Sequence, residues 1–111
     1  DFFGDRPARL GIRYQELGEQ LAPHFKVEEG AILVTSVDED GPAGKAGVKA
    51  GDVIVEVDGK AIKDGSAFRE QVAHLEPGAE AKLTLKREGR SLDLKLTLGG
   101  KKPRREPASS T

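Results

Sequence analysis

No cysteine occurs anywhere in the 111 residues, which removes disulfides and thiolate metal sites together. Methionine is absent as well and the chain opens on Asp1, so it is read as a fragment of a longer or processed protein. No apolar run comes near the roughly 18 residues that a bilayer-spanning helix needs, and no signal-peptide pattern is present, so direct membrane insertion is not expected. An excess of one charge is missing too. The net charge of -1 gives no general case for binding nucleic acid or an anionic surface. The two histidines, His24 and His74, stand apart and lack a paired carboxylate motif, so neither a metal, a cofactor nor a catalytic base is expected there.

What is present suits one domain. Hydrophobic residues make up 36% and charged residues 33%, enough apolar material for a core and a well-solvated surface. Charge is uneven along the chain: residues 99–111 carry a local +3, which leaves -4 for residues 1–98. Residues 1–7 read as an N-terminal flank, in which Phe2-Phe3 either docks on a neighbouring surface or belongs to a preceding domain. Residues 8–98 form the globular unit, and 99–111, rich in Gly, Lys, Pro, Arg and Ser without periodicity, form a basic polar tail or linker.

The most ordered stretch is Ala46-Gly47-Val48-Lys49-Ala50-Gly51-Asp52-Val53-Ile54-Val55-Glu56-Val57-Asp58-Gly59-Lys60-Ala61-Ile62. A small-residue turn is followed by Gly51-Asp52, then by a β-branched run that reads as a strand over 52–57, then by a tight reversal at Asp58-Gly59. Asp52 and Asp58 sit beside glycines, where turn chemistry accounts for them. Upstream, Leu10, Ile12 and Tyr14 share one face of a strand that bends or ends near Glu16. Residues 18–27 read as a short helix, kept brief by Pro23, and 31–37 as a strong strand. Downstream, a helix spans 67–75 with Ser66 as N-cap, or Asp64 in its place. Residues 81–87 and 91–98 make an antiparallel hairpin around Glu88-Gly89. The expected fold is α+β: a small curled antiparallel sheet, or partial barrel, of about five strands capped by one main and one short helix.

The central run A-G-V-x-x-G-D-x-I-x-x-V-D-G resembles the middle of PDZ domains. Leu10-Gly11-Ile12, Leu17, Leu21-Ala22, Phe25, Val27, Gly30, Gln71-Val72-Ala73 and Pro77-Gly78 extend the likeness to PDZ domains of bacterial HtrA/DegP-type serine proteases over residues 8–98. That resemblance implies a peptide-binding, regulatory or substrate-recognition domain working in protein quality control in the periplasm or cell envelope. It also departs from the proteases at one point. No G-N-S-G-G-like run is present, and the serines are Ser36, Ser66, Ser91, Ser109 and Ser110, so the domain itself is expected to be non-catalytic.

The expected site is a groove between the strand starting at Ile12 and the helix 67–75. An open strand edge lets an extended peptide add as a further strand. Leu10-Gly11-Ile12 can turn backbone N–H groups toward a free C-terminal carboxylate, or else is only a β-edge turn. Arg9 either steadies that carboxylate through a water or is merely exposed; Arg13 and Tyr14 continue the strand. On the helix, Phe68, Val72 and Leu75 should face the core, while Ala67, Gln71 and His74 should line the groove. Expected partners are apolar C-termini or unfolded segments of other proteins. The alternative is an assembly scaffold whose groove holds the chain's own flank, a neighbour's terminus or an adjoining domain.

Overall fold

In the computed structural model, which describes residues 10–76 and 78–98, six strands form one antiparallel sheet. They are β1 (Ile12–Glu16), β2 (Ile32–Val37), β3 (Val53–Val57), β4 (Lys60–Ala61), β5 (Glu80–Arg87) and β6 (Arg90–Thr97). The order across the sheet is β1-β2-β3-β5-β6, with β4 paired to β3. Two α-helices accompany them, α1 (Pro42–Ala46) and the longer α2 (Gly65–Ala73). The α+β architecture is the expected one, with the two-residue β4 as an addition.

The sheet is buried on both faces at its centre, and β3 shows why. Successive side chains of a strand point to opposite sides. Ile54 joins Phe68, Val72, Leu83 and Leu85 in the main core, while its neighbour Val53 joins Leu17, Ala22 and Ala31 in a second cluster. A strand buried on both sides must be apolar without alternation, which is what its Val-Ile-Val run supplies. By contrast β1 alternates, with Ile12 and Tyr14 half-buried and Arg13 and Gln15 exposed.

Both reversals fall on two residues in the left-handed region. Asp58 and Glu88 have φ of 52° and 53°, and the glycines after them 82° and 83°. Two successive positive φ values match the twist of paired strands. Hence the β5–β6 hairpin pairs without a slip from Glu80↔Thr97 to Arg87↔Arg90.

Two expectations are corrected, and one pair of alternatives is decided. The helix expected over 18–27 is one 3₁₀ turn, Ala22–Phe25, with Pro23 in its opening positions. It stops at Lys26, which is left-handed (φ 61°) and caps the Ala22 and Pro23 carbonyls. The main helix starts two residues earlier than expected and ends at Ala73. Its N-cap is Asp64 rather than Ser66: the Asp64 carboxylate accepts from the Ala67 N–H at 2.7 Å. Ser66 lies inside the first turn, where its hydroxyl is past the capping position.

Candidate functional site

β1 lies at the edge of the sheet and hydrogen-bonds only to β2, so no strand of the described residues covers its outer side. The approach to β1 is firmly placed. Leu10 is 1% exposed and anchors the segment in the main core. Gly11 follows with φ +75°, a conformation that side chains resist. Its carbonyl accepts from the Asp38 N–H at 2.8 Å. A Cβ at Gly11 would stand 3.2 Å from the Gly41 Cα, so the loop after β2 leaves no comfortable room for one. Ile12 and Tyr14 are half-buried against the core, and Arg13 is exposed.

α2 runs beside β1 in the opposite direction. The Gly65 N–H donates to Oε1 of Glu16 at 2.8 Å, and the Tyr14 ring meets Phe68 edge-on with centroids 4.9 Å apart. Four strand residues from Glu16 back to Ile12 cover about 13 Å, and α2 covers that in about nine residues. That sets Ile12 abreast of the last turn of the helix. Of the expected core stripe, Phe68 and Val72 are buried and Leu75 is half-buried just past the helix end. Of the expected groove stripe, Ala67 and Gln71 are half-buried, while His74 is exposed at the C-cap. Arg9, Phe2-Phe3 and the 99–111 tail lie outside the described residues.

A second constellation escaped the sequence reading. Asp52 is 1% exposed and holds more than a turn together. Its Oδ2 accepts from the Lys49 N–H at 2.9 Å and from Arg87 Nη2 at 2.7 Å, and its Oδ1 accepts from Arg87 Nε at 2.8 Å. Arg87 Nη2 also donates to the Gly47 carbonyl. This two-pronged pairing suits the planar guanidinium. The hydrogen bonds to Asp52 raise the Arg87 pKa above its ordinary value against the opposing pull of burial. The turn reading of Asp52 is therefore corrected, since turn chemistry explains the Lys49 contact but not the burial or the arginine. The one available signal was a buried-type position for an acid beside an apolar strand.

Among the described residues no group of three or more His, Cys, Asp or Glu could hold a metal ion, and no helix is long and apolar enough to cross a membrane. His24 is exposed beside Phe25.

A sequence model of the PDZ domain matches residues 8–98. The chain belongs to the PDZ domain family. This PDZ domain is 43% identical over 91 residues to a probable periplasmic serine endoprotease DegP-like of Pseudomonas fulva (strain 12-X), covering 81% of the chain and 19% of the relative. A protein of the same description from Brucella suis biovar 1 is 36% identical over 90 residues, covering 80% and 18%. The chain thus spans about a fifth of the length of the curated relatives it matches. They are named periplasmic, and that is the compartment of this domain.

Among solved structures, the HtrA-type protease AlgW with decapeptide superposes with a TM-score of 0.71 at 32% identity, over 86% of this chain and 30% of that one. The HtrA3 PDZ domain bound to a phage-derived ligand, FGRWV, gives 0.67 at 26% identity, over 82% and 88%.

Proposed function

We propose that this PDZ domain binds extended peptides through a free, apolar C-terminus, by strand addition along β1. In this reading it is the substrate-recognition or regulatory segment of a larger HtrA-like serine protease. The observation that carries the reading is an edge strand whose outer side meets no other strand of the described residues, entered through left-handed Gly11 and flanked by α2. An edge strand offers main-chain groups to any extended partner, so main-chain bonds supply affinity and pockets supply selectivity. Both AlgW and the HtrA3 PDZ domain have peptides bound, which supports the same use here.

The backbone of Leu10-Gly11-Ile12 takes the terminal carboxylate. Ile12 walls the pocket for the last side chain, Arg13 and Tyr14 carry the pairing along β1, and Ala67, Gln71 and His74 face the ligand from the helix. The domain performs no bond-breaking step, and hydrolysis belongs to a separate catalytic domain of the parent protein.

The test is a titration of the isotope-labelled chain with a peptide ending in a free apolar residue, and with its C-terminal amide, read by backbone amide shifts. Shifts at residues 10–14 and along α2, with the amide weaker by at least about tenfold, are expected from losing charge-assisted bonds to the carboxylate. Equal binding of both peptides would leave strand addition without end recognition. No shift with either would overturn the reading and favour a groove filled by the chain's own flank or a neighbour.

A further inference from the structure

The bond between Glu16 and Gly65 joins residues 49 apart in sequence, the last of β1 and the first of α2. It is a side-chain bridge across the two walls of the groove. The described residues show no second hydrogen bond between these walls. Gly65 is buried, and a Cβ there would stand 3.0 Å from Oε1 of Glu16. Residue 65 is therefore small where the carboxylate must come close. The Asp64 cap uses the Ala67 N–H, so the two carboxylates engage different orphan donors of the first turn and do not compete.

We infer that Glu16 is a positioning residue that sets the width of the groove and closes its far end, so that the domain reads only a short C-terminal stretch. The inference rests on the proposed binding of peptides along β1. A peptide adding antiparallel to β1, with its last residue beside Ile12, advances in step with the strand. Glu16, four residues along, then stands level with about the fourth residue upstream of the peptide terminus. There the bridge ties β1 to α2, and the edge contact of Tyr14 with Phe68 backs it one step nearer the terminus. The groove is thus pinned at its Glu16 end. Pinning before the ligand arrives lowers the ordering cost of binding.

The experiment compares the full chain with its Glu16→Gln and Glu16→Ala variants. Each is titrated calorimetrically with peptides of three, five and seven residues that share one free apolar C-terminus, and hydrogen exchange of the Gly65 amide is followed without peptide. The unaltered chain should gain affinity from three residues to five and little from five to seven. Glu16→Gln keeps an oxygen acceptor and should reproduce both that plateau and slow Gly65 exchange. Glu16→Ala should speed Gly65 exchange, weaken the three-residue peptide about five- to tenfold through lost preorganisation, and let the seven-residue peptide gain over the five.

A general loss of fold would weaken all lengths alike and would not be rescued by glutamine. Unchanged length dependence in Glu16→Ala overturns the inference while leaving peptide binding intact. Failure of the unaltered chain to bind any of the three peptides overturns the binding reading and this inference with it.

Discussion

Two corners of this domain handle their polar groups in opposite ways. At the Asp52 corner every partner is committed: two carboxylate oxygens meet one backbone N–H and two guanidinium nitrogens, and the arginine also takes a carbonyl. Along β1 the outer edge is met by no other strand of the described residues, and the side chains of Ile12 and Tyr14 are half-buried rather than sealed. Satisfying a buried group locks the surrounding geometry, because opening it exposes an unpaired charge. Leaving main-chain groups uncovered keeps a surface receptive. Rigidity and receptivity are thus placed at different ends of β3's neighbourhood, the first near the α1–β3 turn and the second at β1.

The largest effect is expected at the core residue that backs the groove. Phe68 is fully buried in the main core and also backs Tyr14 at the groove. Phe68→Ala should cost about 3–5 kcal/mol in urea unfolding and abolish saturable peptide binding at ambient temperature. Next comes the sealed corner alone. Asp52→Ala strands Arg87, which is still about a third open to water, so about 2–4 kcal/mol of stability should go. Below the unfolding transition, peptide affinity should stay within about twofold, since the side-chain hydrogen bonds of the corner join Asp52, Arg87, Lys49 and Gly47 and none goes to β1 or α2. A large affinity loss there would erase the distinction between the two regions.

Smaller changes sharpen it. Gly11→Ala forces a side chain to φ +75° and against Gly41, which should cost about 1–2 kcal/mol by thermal unfolding. Its effect on peptide affinity should be proportionally larger, tenfold or about that, because the approach to β1 moves. Asp64→Ala removes the cap of α2 and should cost about 1 kcal/mol with a modest affinity loss, and Asp64→Asn should recover most of it.

Much of this was legible because it is local. The β-branched run at Val53, the alternation of Ile12 and Tyr14, and the Asp58-Gly59 and Glu88-Gly89 reversals depend on neighbours within a few residues, and each stands where expected. The core stripe of Phe68 and Val72 follows from helical spacing alone. What was not legible joins distant residues. Nothing near Asp52 announces that Arg87, 35 residues on, will reach it. Likewise Glu16 looks like an ordinary exposed acid until α2 brings Gly65 alongside. The Asp64 and Ser66 caps are both sound chemistry; which one is used depends on where packing of Phe68 and Val72 fixes the start of the helix. Pro23 marked the segment 18–27 as irregular, yet the length of the surviving turn is set by Lys26 entering the left-handed region.

The irregularity in the pairing of β1 with β2 has a further bearing. An edge that accepts a ligand strand is also an edge on which identical chains can stack into extended sheets. Between Arg13 and Tyr14 the pairing with β2 slips by one residue, from Ser36 to Val34. The extra residue is Thr35 of β2, and such a bulge increases the local twist of the pair, so that β1 follows a twisted rather than a flat course. A flexible peptide end can follow that contour, whereas a second folded copy offering its own stiff edge cannot lie flat along it. Protection against aggregation and admission of a ligand are in this way drawn from one departure from a regular strand.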